Sequence, residues 1–462
     1  MIDPTLHRDL IGKTLRRGGE YADVFVESRS VTSLIMEDSR IEKIITGHET
    51  GAGIRLLSEG KTSYAFSNDL SPDALFMTAA EVSSMAGKNG ARQEIPTLRP
   101  RIPSVEFSRG TFPDDVPLKK NIGLIRNAER SARSYDARIR QVSVIYRDLL
   151  QKVQTAASEG FFAEDERVYT SFIIQVIASQ GSLVQTGYEA FGSFCGIDLL
   201  DADAVEALAL KAARRAVSML AARKAPADRM PVVISSQAGG TMIHEAIGHG
   251  LEADLAQQGL SVFSGMLGEK VASELITVVD DATLPGKRGS FRFDDEGTPS
   301  QRTVLVDQGV LKSYMYDKLT AMKEGKASTG NGRRESYQSR PIPRMTNTFI
   351  APGMHNPEEI VRSIDQGLLV VKMGGGQVNT ITGDFVFDVQ EGYLIRNGLR
   401  SDLVRGATLT GNGPEILKSI DMVGADLGFS IGTCGKDAQG VPVTDAMPTV
   451  RIPEIVVGGS HN

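Results

Sequence analysis

Two histidines and a glutamate within six residues form the part of this sequence best suited to metal chemistry. His244 is followed directly by Glu245, and His249 completes the pattern His-Glu-x-x-x-His. The familiar zinc peptidase pattern is one residue shorter. Its histidines lie about 40° apart around an α-helix, so both rings reach one ion. The longer spacing would place the rings about 140° apart on an ideal helix.

Binding of one metal ion by both histidines therefore requires a distorted helix. A π-bulge would add the extra residue to the turn, and ending the helix at Gly248 would have the same effect. Gly248 and Gly250 flank the second histidine, and glycine adopts backbone angles that other residues avoid. The sequence thus places glycine where the distortion is needed.

The motif supplies two ligands, whereas a catalytic zinc ion usually has three protein ligands and one open position. The third could be an Asp, Glu, His or Cys from elsewhere in the chain. The spacing favours Cys434, because Gly432 and Gly435 bracket a turn that could present its thiolate. The other interpretation is that a lone cysteine is a small buried hydrophobic residue, which suits Cys195 better.

Glu245 distinguishes a catalytic metal site from a structural one. Structural zinc sites usually use four protein ligands, often several cysteines, and a glutamate beside the first ligand has no required role there. In a catalytic site the same carboxylate can accept the proton of the attacking water. We therefore interpret the motif as a catalytic site rather than a structural or accidental one.

The N-terminal half of the chain alternates helices with antiparallel strands. Short alternating runs bounded by Ser, Asp or Gly predict one meander between Asp23 and Phe66 and a second over 138–195. The predicted helices cover 4–18, 71–87, 117–134 and 202–223. One face of the last helix is apolar, with Val205, Leu208, Ala209, Ala212, Ala216 and Leu220. The repeated order of elements indicates a loose internal duplication.

A short polar segment at 224–228, which contains Pro226, predicts a domain boundary. Beyond it glycine is frequent, and polar loops alternate with short strands. We predict an N-terminal domain over 1–225 and a C-terminal metallopeptidase domain over 226–462. The predicted fold class is α+β: an N-terminal α/β domain of antiparallel meanders with flanking helices, and a C-terminal mostly-β domain carrying the metal-binding helix.

The composition predicts a globular cytoplasmic protein. The chain has 462 residues, of which 41% are hydrophobic and 23% charged. A net charge of -6 lacks the basic surplus of a nucleic-acid binder. Two distant cysteines predict a reduced compartment, and the first residues have no signal-peptide pattern. With no apolar run of about 18 residues, we expect no membrane partner.

Four stretches of sequence together resemble the TldD/TldE (PmbA) family of zinc peptidases. They are His-Glu-Ala-Ile-Gly-His-Gly-Leu-Glu at 244–252, Arg-Arg-Glu-Ser-Tyr at 333–337 with Pro-Ile-Pro-Arg-Met-Thr-Asn-Thr at 341–348, Gly-Gly-Gly at 374–376 with Phe-Val-Phe at 385–387, and Ile-Gly-Thr-Cys-Gly-Lys at 431–436. Their joint occurrence in this order is more specific than the histidine motif alone.

This resemblance implies one zinc ion (Zn2+) per chain, held by His244, His249 and Cys434, with Glu245 as the catalytic residue. The paired subunit of the family keeps the fold and loses the motif, so this chain is similar to the metal-bearing subunit. The resemblance also implies hydrolysis of small or unfolded peptides, including the trimming of leader peptides. It implies a dimer, either with a TldE/PmbA-type subunit or with a second copy of the chain.

Two further segments could complete a peptidase site. Segment 333–337 could stabilise an oxyanion, or its arginines could form ordinary surface ion pairs. Gly374, Gly375 and Gly376, followed by a predicted strand at 384–389, could let a peptide pair with a sheet edge, or could form a plain hairpin. The alternative functions are a zinc-stabilised regulatory or binding protein without activity and a hydrolase of other amides.

Overall fold

Among the described residues, the N-terminal half forms one seven-stranded sheet with helices packed against it. The computed structural model describes residues 1–85, 94–108 and 110–459. The elements of this half are α1 (Pro4–Thr14), β1 (Tyr21–Glu37), β2 (Arg40–Ser58), β3 (Lys61–Ser67), α2 (Pro72–Ser84), β4 (Arg99–Pro100), α3 (Leu118–Ser134), β5 (Ile139–Ala157), β6 (Phe161–Gln180), β7 (Leu183–Ser193) and α4 (Ala202–Leu220). The strand order is β3-β2-β1-β5-β6, and both β7 and β4 pair with β6.

The predicted meanders are confirmed, but they merge into a single sheet of long strands. Strands β1, β5 and β6 contain 17, 19 and 20 residues. The pairing of β1 with β5 runs without a break from Asp23 opposite Ala157 to Glu37 opposite Ser143. Polar residues in the middle of these strands interrupt the hydrophobic pattern but not the backbone pairing. The sequence pattern therefore predicts two short strands where one long strand is present.

Two separate cores lie along this sheet. Helices α1 and α2 bury Leu10, Ile11, Leu75 and Val82 against Val24, Val26 and Ile54. Helices α3 and α4 bury Ile125, Ala128, Val205 and Ala209 against Leu34, Val144, Phe172 and Ile174. The helix predicted over 71–87 is confirmed as α2, although positions 86 and 87 lie outside the described residues.

Helix α4 shows how the sequence fixes this packing. The side chain of Asp201 accepts a hydrogen bond from the Ala204 amide at 2.8 Å and so caps the first turn. The predicted apolar face is buried, apart from Leu208, which is half-buried. It lies so close to β7 that a Cβ on Gly187 would be 1.9 Å from the Ala212 carbonyl oxygen. Small residues on both elements permit this approach.

In the C-terminal half strand residues far outnumber helical ones, as predicted. Its elements are β8 (Arg223–Lys224), β9 (Asp228–Ile234), α5 (Thr241–Ile243), α6 (Ala253–Gln257), β10 (Val278–Asp281), β11 (Arg302–Asp307), β12 (Val310–Leu311), α7 (Lys318–Glu324), β13 (Gly332–Arg333), β14 (Ile342–Pro343), β15 (Asn347–Ile350), α8 (Pro357–Arg362), β16 (Gln366–Val378), β17 (Asp384–Arg396), β18 (Leu399–Arg405), β19 (Ala407–Asn412), α9 (Gly413–Ser419), β20 (Met422–Val423), β21 (Gly428–Lys436), β22 (Gln439–Met447) and β23 (Val450–Gly458).

Two sheets of this half position the candidate site. The first sheet contains a closed ring of five strands, in the order β16-β9-β23-β19-β17. The ring closes because β17 pairs with β16 as well as with β19. The second sheet has the order β12-β11-β10-β15-β22-β21. Met242, Ile243 and Ile247 belong to one core with residues of both sheets. The histidine motif is therefore held between the closed ring and the second sheet.

The face of the N-terminal sheet opposite the helices contacts the C-terminal half through buried charges. Arg55 on β2 contacts Asp23 on β1 and also lies 2.7 Å from Glu296. Arg167 on β6 lies 2.7 Å from Asp295. These pairs compensate charges that would be costly to bury alone. No helix in the described part of the chain is long and apolar enough to cross a membrane.

Candidate metal centre

The backbone of the histidine motif changes its winding at the first histidine. Helix α5 passes into a π-helical turn over His244–Gly248 and then into a 3-10 turn over His249–Leu251. The extra residue of the π turn brings both imidazoles to the same side. Their ring centroids are 4.9 Å apart with an interplanar angle of 88°. Of the two distortions that the spacing allows, the structure has the π turn.

The glycines of the motif provide space rather than unusual backbone angles, so the predicted reason for them is wrong. Gly248 has φ -55° and ψ -57°, which any residue adopts in a helix, and Gly250 is not among the residues with positive φ. A Cβ on Gly248 would lie 2.2 Å from the Met345 sulfur, and one on Gly250 would lie 2.7 Å from the Phe263 ring. The turn packs too tightly for side chains at these positions.

Cys434 lies beside both histidines. It is 2% exposed on β21, and its Sγ is 3.6 Å from Nε2 of His249. Potential ligand atoms of His244, His249 and Cys434 all lie within 4.8 Å of one another. The sequence predicts that Cys195 is the more buried cysteine. The structure shows the reverse, because Cys434 is buried and Cys195 is half-buried. The neighbouring imidazoles distinguish Cys434.

Each imidazole is oriented by a buried carboxylate. Nδ1 of His244 lies 2.8 Å from Oδ1 of Asp445, and Nδ1 of His249 lies 3.0 Å from Oε2 of Glu252. Such contacts fix the ring and leave Nε2 as the metal-binding atom. Sequence reasoning missed both carboxylates. Glu252 could have been found from its position three residues after His249, whereas Asp445 has no local signal.

The charges around these residues favour a bound cation. Burial opposes protonation of His244, but Asp445 and Cys434 raise its pKa well above the usual value. In the same way, Glu252 and Cys434 outweigh burial and raise the pKa of His249 to about 10. Burial raises the pKa of Cys434, but the two imidazoles outweigh it and lower the value to about 6. Two imidazoles and a readily formed thiolate make a donor set that suits zinc.

A cleft of about 370 Å³ opens beside this cluster. Its lining includes His244, Glu245, Thr241, Lys372, Gly374, Gly375, Gln390, Thr433 and Asp445. Glu245 follows the first imidazole directly and is half-buried in the cleft wall. The structure thus places the predicted catalytic glutamate and one predicted ligand, His244, in the cleft wall, with His249 and Cys434 beside that histidine.

The predicted glycine segment lines this cleft as part of a hairpin. Gly374 and Gly375 lie in β16, which pairs with β17 and shifts register between Met373 and Gly376. A Cβ on Gly375 would meet open space. On another wall, residues Ser430 to Thr433 of β21 line the cleft, and β21 is the last strand of its sheet.

Neither role predicted for segment 333–337 matches the structure. Arg333 and Arg334 are buried, at 4% and 3% exposure, and do not line the cleft. Arg333 donates to the carbonyl oxygens of Met345 and Pro442. Arg334 donates to the Asp295 carbonyl oxygen at 2.9 Å and lies over the Phe25 ring. Arg334 thus joins the two halves of the molecule, whereas Arg333 ties together segments of the C-terminal half.

A His/His/Cys cluster beside a carboxylate on an open cleft is an arrangement that suits a metal-dependent hydrolase, and comparison with known proteins identifies a metallopeptidase. Family models described as the PmbA/TldA metallopeptidase domain 1, central domain and C-terminal domain match residues 22–86, 112–220 and 227–459. The chain belongs to the PmbA/TldD family of metallopeptidases.

Curated relatives span nearly the whole chain. A metalloprotease TldD homolog of Haemophilus influenzae is 36% identical over 453 residues, which cover 96% of this chain and 94% of that protein. A metalloprotease of Methanothermobacter thermautotrophicus is 34% identical over 441 residues, covering 96% of each chain.

Solved structures share the fold. A candidate modulator of a DNA gyrase from Thermotoga maritima has a TM-score of 0.81 and 22% identity, covering 98% of this chain and 99% of its own. TldE from Thermococcus kodakarensis has a TM-score of 0.77 and 18% identity, covering 98% of this chain and 100% of its own.

Proposed function

We propose that this metallopeptidase hydrolyses small or unfolded peptides, including leader peptides, with one zinc ion held by His244, His249 and Cys434. The observation that carries the proposal is the placement of these three ligands, within 4.8 Å of one another, beside a cleft that also contains Glu245. The choice of peptides and the trimming of leader peptides rest on the family resemblance. A cytoplasmic location stays a prediction from the two unpaired cysteines.

The proposed ligands are set up by their neighbours. His244 and His249 would bind through Nε2, because Asp445 and Glu252 hold their Nδ1 atoms. Cys434 would bind as a thiolate. When bound, zinc supplies a Lewis acid that activates water and polarises the scissile carbonyl.

Glu245 would move the proton during hydrolysis. Its carboxylate accepts a proton from the attacking water as the water oxygen bonds to the carbonyl carbon. It then gives this proton to the leaving nitrogen as the C–N bond breaks. One water is consumed, and a carboxyl and an amine are formed. The position of Glu245, next to a ligand in the cleft wall, suits this transfer.

The walls of the cleft favour an extended substrate. Strand β21 ends its sheet and lines the cleft, so a peptide backbone can pair with those edge groups that are not already bonded, as the Gly432 carbonyl oxygen is to Arg288. Gly374 and Gly375 place no side chain in the way. A small or unfolded peptide can adopt the extended form, whereas a folded protein already uses its backbone groups internally.

The proposed partner is a TldE/PmbA-type subunit or a second copy of the chain. The fold shared with the TldE structure supports the first choice only at the level of fold. The molecular mass in solution of the purified chain, alone and mixed with such a subunit, distinguishes the two.

Glu245→Gln tests the peptidase proposal against the alternative of a zinc-stabilised regulator. We expect this variant to keep its zinc and to lose about 100- to 10,000-fold in peptide cleavage. Glu274→Gln, at an exposed glutamate outside the cleft, is the matched control. Full activity in Glu245→Gln would remove the glutamate from the mechanism. A zinc-loaded wild type that cleaves no peptide would favour the regulator.

A further inference from the structure

Lys372 is the one lysine or arginine among the described residues that line the cleft. Its Nζ lies 3.7 Å from Oε2 of Glu189. The same carboxylate lies closer to two other cations, Arg215 at 2.6 Å and Lys211 at 3.3 Å. One negative charge is therefore shared by three positive charges, and Lys372 makes the longest of these contacts.

A second pocket, of about 280 Å³, lies between α4 and strands β16, β17 and β18. Its charged lining residues are Lys211, Arg214, Arg215, Arg400 and Glu391. Arg215 is 2.8 Å from Glu391 and is neutralised there. In contrast, Arg214 and Arg400 form no ion pair with any described residue. The guanidinium of Arg400 lies 3.3 Å from the centroid of the Tyr393 ring.

The pocket and the cleft share a wall. Val371 and Glu391 line the pocket, and their neighbours in the chain, Lys372 and Gln390, line the cleft. Glu189 joins the two sides, since it contacts Lys372 and Lys211. With Lys372, five cationic side chains face two carboxylates, Glu189 and Glu391, along this wall. The wall thus carries positive charge beside the reaction site.

We propose that this positively charged wall, with Lys372 facing the cleft and Arg214 and Arg400 facing the adjoining pocket, forms a carboxylate subsite that selects acidic peptides. The proposal rests on the peptidase function above, because the subsite adjoins the cleft assigned to the peptide. Planar guanidinium groups match a carboxylate well. The anion is either the C-terminal carboxylate of the substrate or an acidic side chain within it, and the two have the same chemistry here.

Peptide binding to the Glu245→Gln variant tests the subsite without cleavage. The probe is a fluorescent peptide with one glutamate and a free C-terminus. Two derivatives each lack one carboxylate, through a C-terminal amide or a Glu-to-Gln change. We expect one derivative to bind about tenfold more weakly, as for loss of a charge-assisted hydrogen bond. The derivative that weakens identifies the source of the carboxylate. Equal binding of all three peptides, or no measurable binding, would overturn the proposal.

Variants then assign the preference to this wall. The first variant combines Arg214→Gln and Arg400→Gln, and the second carries Lys372→Gln alone. Each should reduce the preference for the acidic peptide to about threefold or less, with an unchanged melting temperature. Arg126→Gln on α3, outside both cavities, should keep it. An unchanged preference in both variants would also overturn the subsite. If the wild type cleaves acidic and neutral peptides equally well, only the subsite is contradicted. If it binds acidic peptides selectively but cleaves none, only the peptidase function is contradicted.

Discussion

Nζ of Lys436 lies 3.1 Å from Oε2 of Glu252, the same carboxylate oxygen that contacts the His249 imidazole. Lys436 also lies 2.7 Å from Asp254. Burial disfavours the Glu252 carboxylate, but Lys436 and His249 outweigh it and lower its pKa to about 2. A lysine two residues after the proposed cysteine ligand thus helps to hold the carboxylate that orients a histidine ligand.

Glu252→Gln should therefore weaken zinc binding while leaving the three ligands in place. The amide keeps the shape of the side chain but loses the charge that supports His249. We expect a 10- to 100-fold loss of zinc affinity, of the order known for residues that orient metal ligands. Competition with a chromogenic chelator measures it, and Glu274→Gln is the control. An affinity equal to that of the wild type would show that Glu252 does not support the metal site.

The ligand set makes a separate prediction about metal content. Elemental analysis of the wild type should give about one zinc per chain, because a catalytic site of three protein ligands binds one ion. His244→Ala and Cys434→Ala should each lose this zinc, whereas Cys195→Ala should retain it. Zinc retained in Cys434→Ala would place the third ligand elsewhere. If no sample contains zinc, adding it back distinguishes a site emptied during purification from one that does not bind.

Gly240→Ala tests how closely α5 must approach β22. A Cβ at this position would lie 2.4 Å from the Asp445 Cβ and 2.5 Å from the Ala446 amide nitrogen. Relief of that clash must move Asp445 away from His244, so zinc affinity and stability should both fall. We expect a loss of about 1–3 kcal/mol in the free energy of unfolding.

Gly123→Ala in α3 is the matched control for this substitution. Its added Cβ would meet open space, and alanine in a helix is favoured over glycine by up to about 1 kcal/mol. Chemical denaturation with and without zinc measures both variants. A Gly240→Ala protein as stable as the wild type would mean that the helix shifts without cost.

The elements follow from the sequence more readily than their arrangement does. Alternation in the N-terminal half predicts strands, and the apolar stripe of α4 predicts a helix, because both depend on residues close in the chain. The closed ring is different. It requires β16 to pair with β9, more than a hundred residues earlier, and the pattern of either strand contains no information about its partner.

The candidate site divides in the same way. The spacing of the two histidines demands a distorted helix, and the π turn of the structure provides it. Asp445, in contrast, reaches His244 only because β22 passes beside α5. The prediction for segment 333–337 is wrong for a related reason: a pair of arginines predicts exposure, but here carboxylates and carbonyl groups of other elements surround them.

Arg334→Met separates the structural role of this arginine from the catalytic one that the sequence suggested. The Arg334 side chain is buried and lies 3.7 Å from Asp23, and its guanidinium is 4.2 Å from the centroid of the Phe25 ring. Methionine would leave buried carboxylates without this positive charge. Loss of one partner of a buried ion pair costs roughly 3–5 kcal/mol, so denaturation should begin at a lower denaturant concentration.

Activity below the unfolding transition provides the second readout for Arg334→Met. A structural role predicts the same kcat per folded molecule as the wild type, because Arg334 lies outside the cleft. Loss of an oxyanion donor would instead lower kcat about 100- to 1,000-fold in folded protein. Arg362→Met is the control, because its ion pair with Glu358 is exposed and should contribute less than about 1 kcal/mol. A stable Arg334→Met protein with low kcat would return this arginine to the reaction.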